Sequence, residues 1–244
     1  MKGVKHHFID SHHITNHLSS AVFANEAEII LTELFKTKDN VVLVGGSGMY
    51  IDALCEGIDE IPVDFEIKSQ LQKEWETYGL AVLLKELEIK DPLFYDKIDK
   101  NNPMRVLRAL EVIRLTGQPY SQLRTSHQKQ NPFEIKRFVI DHERAILYER
   151  INQRVLKMMD DGLLEEVKNI RQFSHFQALQ TVGYKELFAY LEKQISLQEA
   201  VQLIQKNTRN YAKRQLTWFR RHEDAVWLKH EADNLLVKRI LSFL

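Results

Sequence analysis

The sequence predicts an α/β protein with a parallel sheet and a helical insertion, and three observations favour this fold class. Val41–Val44 is an unbroken run of β-forming residues, as expected of a strand buried on both faces. A helical pattern precedes this run and Gly45-Gly46-Ser47-Gly48 follows it, so that helix and strand alternate. Strand signal is absent from 63–132, where only helical patterns occur. We therefore predict a core, 1–62 and 133–244, interrupted by a helical insertion.

Composition limits the function classes. The 244 residues are 44% hydrophobic and 28% charged, which is typical of a globular chain. The 34 basic residues equal the 34 acidic ones, so any nucleic-acid site must be a local patch. Cys55 is the only cysteine, which excludes a disulfide framework and fits a reducing cytoplasm. No membrane span and no secretory signal is recognised, and no membrane partner is expected.

Capping residues and apolar periodicity place the remaining elements. A helix begins at Ser19 or Ser20, and another begins at Asn102-Pro103 and ends before Gly117. The other predicted elements are helical segments over 65–87 and 145–173, the latter interrupted at Asp161-Gly162, a strand over Lys136–Ile140 and a helix near Glu186.

Histidines cluster near the start of the chain, at His6, His7, His12, His13 and His17. Asp10 is the only carboxylate among them, and no acidic or histidine pair has the i,i+4 spacing of a zinc protease. We predict no metal site here. Histidines of loops and strand ends are the simpler interpretation.

Two features indicate ligand binding. The glycine loop follows a predicted strand, where ligands of open α/β sheets bind, although an ordinary strand–helix turn has the same pattern. Arg105 and Arg108 lie three residues apart on one helical face. A solvated surface is the alternative for this pair.

The most informative stretch is 206–222, which contains six lysines and arginines and no acidic residue. On a helix, the side chains of Lys206, Arg209, Lys213 and Arg220 fall within about 60° of one another. Ile204, Thr208, Ala212 and Phe219 fall on the opposite, core-facing side. Such a basic stripe is suited to a phosphate backbone, with a solvated basic face as the alternative, and Trp218 and Phe219 are interpreted as core residues.

Several stretches together resemble the tRNA dimethylallyltransferases, also called tRNA isopentenyltransferases. The resemblance extends to about residue 228 and is carried, in the family's order, by His6–Asp10, Val44–Tyr50, Arg105–Val112, Gln180–Lys185 and Asn207–Arg220.

This resemblance implies a fold, a reaction and partners. The fold is a P-loop-NTPase-like parallel-sheet core with a helical insertion that swings over the bound anticodon stem-loop of tRNA. The reaction moves a dimethylallyl group from dimethylallyl pyrophosphate to N6 of adenosine 37, with Mg²⁺ accompanying the pyrophosphate. The target base leaves its stack, because N6 is otherwise shielded. A cytoplasmic enzyme that is monomeric at full length is expected.

The resemblance also implies which residues contact tRNA. Ser47 matches a family residue at the reaction channel, and Lys68 matches a family arginine if one gap is allowed. The other implied contacts are Met104, Arg105, Val106, Leu107, Arg108, Gln180, Thr181, Val182, Gly183, Tyr184, Lys185, Lys213, Arg214, Gln215, Thr217, Trp218 and Arg220.

Two family motifs are not found among these 244 residues. The family has a P-loop, Gly-x-x-x-x-Gly-Lys-Ser/Thr, and a following segment whose aspartate is the general base. Gly45–Gly48 is not a substitute, because no lysine follows it. No catalytic residue is therefore nominated. The sequence predicts a chain truncated upstream of Met1, inactive in isolation and exposing a sheet edge. A non-catalytic RNA-binding remnant and a P-loop small-molecule kinase are the alternatives.

Overall fold

The chain forms two compact units in its computed structural model. The structure describes residues 3–16, 18–59, 61–124 and 129–243. One unit combines Met1–Ile51 with Pro132–Leu244, and the other is Asp52–Asn131. The first boundary lies N-terminal to the predicted one, within a helix, and the second lies next to it.

The first unit contains a two-stranded parallel sheet and most of the helices. The strands are β1 (Phe138–Asp141) and β2 (Val226–Lys229). The helices of this part of the sequence are α1 (Ser20–Leu34), α2 (Gly48–Cys55, which includes the boundary), α8 (Arg144–Asp160), α9 (Leu163–Asn169), α10 (Tyr184–Leu191), α11 (Leu197–Phe219) and α12 (Asp233–Leu241). Short 3-10 turns occupy Arg171–Phe173 and Gln177–Leu179.

The sheet pairs strands that are far apart in sequence. Phe138 lies opposite Val226, and Asp141 lies opposite Lys229. Parallel strands need a long crossover, and helices α8 to α11 provide it here. The predicted strand over Lys136–Ile140 is confirmed, although it begins two residues later and ends one residue later than predicted, whereas β2 was not predicted.

A hydrophobic cluster holds the crossover helices together. Its buried members come from α8, α9, α10 and α11 and from the second 3-10 turn, namely Val155, Leu163, Val167, Leu179, Leu187, Phe188, Ala200 and Ile204. The interruption at Asp161-Gly162 is confirmed, since Gly162 has φ 102° and lies between α8 and α9. Burial of these apolar side chains is the main source of stability for the helices around α11.

The prediction of a strand at Val41–Val44 is wrong. These residues have no strand conformation, and Val42 and Val44 are 87% and 86% exposed. Within the described residues, no backbone hydrogen bond joins them to another strand. Local β propensity does not make a strand unless a neighbour pairs with its N–H and C=O groups.

The second unit is helical in its described residues. Its further helices are α3 (Phe65–Tyr78), α4 (Leu80–Lys90), α5 (Pro92–Lys97), α6 (Pro103–Thr116) and α7 (Tyr120–Leu123). The predicted helical segment over 65–87 is two helices, because Gly79, with φ 79°, separates them. The caps of α6 are confirmed: Asn102 accepts a hydrogen bond from the Arg105 N–H, and Gly117 is left-handed.

Helix α6 is the centre of the second unit. Its buried side chains pack with those of α3 and α4, in a cluster that includes Leu71, Leu83, Leu87, Val106, Leu107 and Leu110. Arg114, near the end of α6, donates two hydrogen bonds of 2.8 Å to Glu74 and also binds Glu86. These bonds lower the pKa values of both carboxyl groups and raise that of the guanidinium.

Among the described residues, no helix combines the length and the apolar character needed to cross a bilayer.

Candidate nucleic-acid interface

The glycine loop lies directly against the C-terminal half of α11. The Gln215 side-chain amide donates a hydrogen bond of 2.9 Å to the carbonyl oxygen of Gly46. The hydroxyls of Ser47 and Tyr211 are 3.4 Å apart. Since Tyr211 and Gln215 are one helical turn apart, one face of α11 binds two consecutive loop residues. The structure thus brings together Ser47 and Gln215, both predicted to contact tRNA.

Two glycines make this close approach possible. A Cβ atom added to Gly48 would lie 2.2 Å from the indole ring of Trp218, and one added to Gly46 would lie 1.9 Å from the Gln215 amide nitrogen. A Cβ on Gly45 would meet no atom within 4 Å. The glycines were predicted to admit a ligand, but in this structure they admit α11. Trp218 was interpreted as a core residue, and its ring lies against the loop.

A small cleft opens beside the loop. It has a volume of about 200 Å³, and Ser47 and Tyr50 line it together with Phe23, Leu43, Val44, Gly45, Gly46 and Ile51. The Tyr50 hydroxyl donates a hydrogen bond of 2.8 Å to the carbonyl of Leu18. The Ser47 hydroxyl therefore lies where the cleft and the α11 contact meet.

The basic stripe of α11 is exposed at three of its four predicted positions. Lys206, Lys213 and Arg220 are exposed, and none has an ion pair with a described acidic residue. Arg209 is different, because its guanidinium donates a hydrogen bond of 2.5 Å to Asn152 of α8 and lies over the Tyr148 ring. The prediction that Arg209 belongs to an open stripe is therefore wrong. The Arg209 guanidinium instead contacts α8 and so joins α11 to it.

Three further arginines lie over aromatic rings in the last turns of α11 or just after it, and the first of them is Arg220, 5.8 Å from the centre of the Trp227 ring. The guanidinium of Arg214 lies 5.7 Å from the centre of the Tyr211 ring, and that of Arg221 lies 4.7 Å from that of Trp218. Such stacking limits the rotamers of a cation while leaving its outer edge open to phosphate. Thr217, also exposed, donates its hydroxyl hydrogen to the Lys213 carbonyl.

The segment Gln180–Lys185 is fixed to α11 by a buried carboxylate. Glu186 is 7% exposed, accepts a hydrogen bond of 2.8 Å from the Gly183 N–H and accepts another of 2.6 Å from the Asn207 side chain. Gly183 has φ 105°, a region that favours glycine. Gln180, Thr181 and Lys185 are exposed, whereas Val182 is half-buried. Two segments predicted to contact tRNA are thus held in one position relative to each other.

Tyr184 faces away from this link. Its hydroxyl donates a hydrogen bond to Glu166 of α9. Burial, together with this bond, raises the pKa of Tyr184 to about 12. The phenol is neutral at any physiological pH, and it binds α10 to α9.

In the second unit, three of the five α6 residues predicted to contact tRNA have side chains that are buried or bound within the protein. Val106 and Leu107 are 0% and 4% exposed, so their side chains cannot contact RNA. Arg108 donates hydrogen bonds to the carbonyls of Ile61 and Pro62 and lies 3.0 Å from the Glu111 carboxylate. The remaining predicted residues, Lys68, Met104 and Arg105, are exposed.

The N-terminal histidines take part in local contacts. His12 lies 3.0 Å from the Glu26 carboxylate, and the His6 ring lies 2.9 Å from the Val4 carbonyl. His17 lies outside the described residues.

The loop–helix surface does not have the donor set of a magnesium site. Its side chains, those of Ser47, Tyr211, Arg214, Gln215 and Trp218, include no carboxylate, which is the protein ligand that Mg²⁺ prefers. They are instead hydrogen-bond donors, cations and aromatic rings. This is the chemistry that recognises phosphates and unstacked bases.

Comparison with known proteins identifies the family. A family model described as IPP transferase matches residues 1–222. The chain belongs to the IPP transferase family. A relative from Parabacteroides distasonis, tRNA dimethylallyltransferase 2, is 45% identical over 228 residues, which are 93% of this chain and 76% of the relative. The family member tRNA dimethylallyltransferase 1 of Bacteroides thetaiotaomicron is 41% identical over 98% of this chain and 78% of its own length.

Solved structures of this family have the same fold. The full-length tRNA isopentenylpyrophosphate transferase of Bacillus halodurans aligns with a TM-score of 0.69 and 34% identity, over 100% of this chain and 78% of that one. A eukaryotic dimethylallyltransferase acting on tRNA aligns with a TM-score of 0.73 at 22% identity, over 93% of this chain and 60% of that one, which shows the fold alone. The predicted α/β fold class of the IPP transferase family is confirmed.

Sequence reasoning missed three side chains of the interface. Tyr211 was within a quoted stretch but received no role, and Glu186 and Asn207 were not singled out. The signal for Tyr211 and Gln215 was their i,i+4 spacing beside Trp218. The bond from the Gly183 N–H to Glu186 is a local capping contact, but the bond from Asn207 depends on the packing of α10 on α11, which the sequence does not reveal.

Proposed function

We propose that this chain acts in a tRNA dimethylallyltransferase. It binds the anticodon stem-loop of tRNA and takes part in the transfer of a dimethylallyl group from dimethylallyl pyrophosphate to N6 of adenosine 37. Membership of the IPP transferase family supports the reaction class. The observation that carries the RNA-binding role is that α11 combines a docked glycine loop on one face with the exposed Lys206 and Lys213 on another. We further propose that the full-length enzyme is a monomer and acts in the cytoplasm.

The electrostatics of α11 support RNA binding despite the neutral net charge. Lys206 and Lys213 are two turns apart, about 10 Å along the helix, which is within reach of phosphates on one strand. The guanidinium groups of Arg214 and Arg221 are held over aromatic rings near the C-terminal end of α11. There they add oriented N–H donors that can bind phosphate oxygens. Cations without acidic neighbours release counterions from RNA on binding, and this release is the largest sequence-independent contribution to affinity.

The loop supplies a directional contact rather than charge. Ser47 has its hydroxyl at the edge of the cleft, 3.4 Å from the Tyr211 hydroxyl. A hydroxyl can donate and accept, so it can bind a base edge or a ribose that enters there. Mg²⁺ and the pyrophosphate belong to the proposed reaction. No reaction step is assigned to them, because the loop–helix side chains do not fit the metal, and no general base is assigned.

Substitution of two lysines tests the proposal. In Lys206→Ala with Lys213→Ala, the affinity for an unmodified anticodon stem-loop should fall at least about fivefold at low salt. The slope of log Kd against log salt should fall by about two, one for each phosphate contact. Both side chains are exposed, so the circular dichroism spectrum should not change. Filter binding across a salt series measures affinity and slope.

A second double variant controls for net charge. Lys157→Ala with Lys168→Ala removes two cations that pair with Asp161 and Glu165 on α8 and α9. Its affinity and slope should stay close to those of the parent. If the α11 variant binds with the parent's affinity and slope, the stripe is a solvated face and α11 is not the RNA-binding element.

A further inference from the structure

A second cleft lies beside the Gln180–Lys185 segment, in the same unit as α11. It has a volume of about 390 Å³ and lies between one face of α10 and the loop that precedes it. Its lining includes His175 and Gln180 from the loop, Lys185 and Phe188 from α10, and Glu192, which directly follows α10. The volume is within the range of sites that bind small molecules.

The polar groups of this cleft are arranged for recognition of a nucleotide. Gln180 donates its amide hydrogen to the Ser174 carbonyl at 2.6 Å, which fixes the side chain and leaves its carbonyl oxygen as an acceptor. Glu192 accepts a hydrogen bond of 2.9 Å from Gln194, which leaves further acceptor capacity on its carboxylate. Base edges that carry an amino group donate to such acceptors.

An aromatic surface and one cation complete the set. The His175 ring is exposed, and Phe176 lies 4.2 Å from it, ring centre to ring centre, on one side. That contact limits the motion of the imidazole and leaves the ring available to stack on a base. Lys185 is exposed and forms no ion pair within the described part of the chain, so its ammonium is available for a phosphate.

The walls of the cleft are held before any ligand arrives. Phe188 is 6% exposed and belongs to the hydrophobic cluster of the crossover helices. Glu186, buried directly beside Lys185, binds Gly183 and Asn207 and so fixes the start of α10 to α11. A site of this kind loses little conformational entropy on binding.

From this geometry we infer that the cleft binds one unstacked nucleotide, with its base against His175 and its phosphate at Lys185. This inference rests on the proposed RNA binding and gives the bound RNA a second contact, away from the glycine loop. Free mononucleotides share the same chemistry, and the experiment separates the two sources.

The test compares two cleft variants with two matched controls. His175→Ala should weaken binding of the anticodon stem-loop by about tenfold, because a stacking surface is lost. Lys185→Ala should also weaken binding, because a phosphate contact is lost. Lys185→Ala should also lower the salt slope by about 0.7. Arg171→Ala and Gln177→Ala remove exposed side chains that flank the cleft without lining it, and they should bind like the parent. Thermal unfolding of all four should match the parent.

The second arm uses adenosine 5′-monophosphate and inorganic phosphate alone, each titrated against the isotope-labelled chain. Nucleotide binding should shift the backbone amide signals of 174–192, and His175→Ala should abolish the shifts. Suppose that the cleft variants keep the parent's RNA affinity while the Lys206/Lys213 variant loses it. The inference that the cleft binds a nucleotide is then wrong, and the proposed function stands. If only the cleft variants lose affinity, the α11 assignment fails instead. Shifts with free nucleotide but unchanged RNA affinity would also overturn the inference.

Discussion

The two compact units use their predicted RNA-binding residues in different ways. In the unit of 1–51 and 132–244, residues 164 positions apart in the chain, Ser47 and Tyr211, meet at one surface. In the unit of 52–131, the predicted residues Met104–Arg108 are consecutive on α6, and their side chains point in every direction. Two of these side chains are buried, and Arg108 is bound to backbone carbonyls.

Helical periodicity explains why the residues of a contiguous motif have different roles. Five consecutive helical residues span more than one turn, so some of them must face the core if others face solvent. A motif of this type combines surface residues with residues that hold the helix. A surface assembled from distant segments, such as the loop on α11, depends instead on close packing between backbones and rings.

The largest effect should come from filling that close contact. Gly48→Ala adds a methyl group 2.2 Å from the Trp218 ring, so the indole or the loop must move. We expect a loss of about 2 kcal/mol in the free energy of unfolding, as for an overpacked core. The affinity for the anticodon stem-loop should fall as well. Urea unfolding and filter binding measure the two effects.

Gly45→Ala is the matched control for this substitution. Its added Cβ meets no atom within 4 Å, so stability and affinity should remain within experimental error of the parent. Equal effects of the two substitutions would mean that loop flexibility, and not contact with Trp218, determines the surface.

An intermediate effect should distinguish two arginines of α6. Arg108→Ala removes the donors to the Ile61 and Pro62 carbonyls and the partner of Glu111, which is 3% exposed. The free energy of unfolding should fall by about 1.5 kcal/mol, because hydrogen bonds from a charged group are lost. Arg105→Ala should leave stability within about 0.5 kcal/mol and lower the salt slope of RNA binding by about one. If Arg105→Ala destabilises the chain and Arg108→Ala does not, our division of α6 is wrong.

The smallest effect should be the acid dependence of the Arg114 cluster. Hydrogen bonds from Arg114 hold the pKa values of Glu74 and Glu86 below the ordinary value of 4.5. Depressed carboxyl pKa values stabilise the folded state above pH 4.5, and this contribution is lost as the pH falls through the folded-state values. Arg114→Gln should therefore cost about 1 kcal/mol at pH 7, and the difference from the parent should shrink below pH 4.

Lys90→Ala is the comparison for this last prediction. Lys90 also pairs with Glu86, at 3.1 Å, but from an exposed position one turn away. Its removal should cost no more than about 0.5 kcal/mol at pH 7. Denaturant midpoints of the three proteins at several pH values decide the matter, and a pH-independent cost of Arg114→Gln would contradict the electrostatic account.

The elements set by local chemistry were predictable from sequence. Asn102 and Gly117 bound α6 because a side-chain acceptor and a left-handed residue act within one turn. The interruption at Gly162 has the same local origin. The basic face of α11 also follows from helical periodicity, which fixes the angles between side chains.

The elements that need a distant partner were not predictable in the same way. Val41–Val44 has the composition of a strand, yet strand formation depends on a paired neighbour. β2 is four residues long, and only its pairing with β1 identifies it. Periodicity placed Arg209 on the basic face correctly, but it could not reveal that α8 offers Asn152 to that side chain.

The distance between Gly48 and Trp218 has a consequence for how related sequences can vary. A larger residue at 48 fits the docked loop only if residue 218 is smaller than tryptophan. A change at either position alone gives an overcrowded contact or leaves a cavity, and both are costly. The two positions should therefore be exchanged as a pair. Relatives that have lost the glycine at 48 should also have lost the indole at 218.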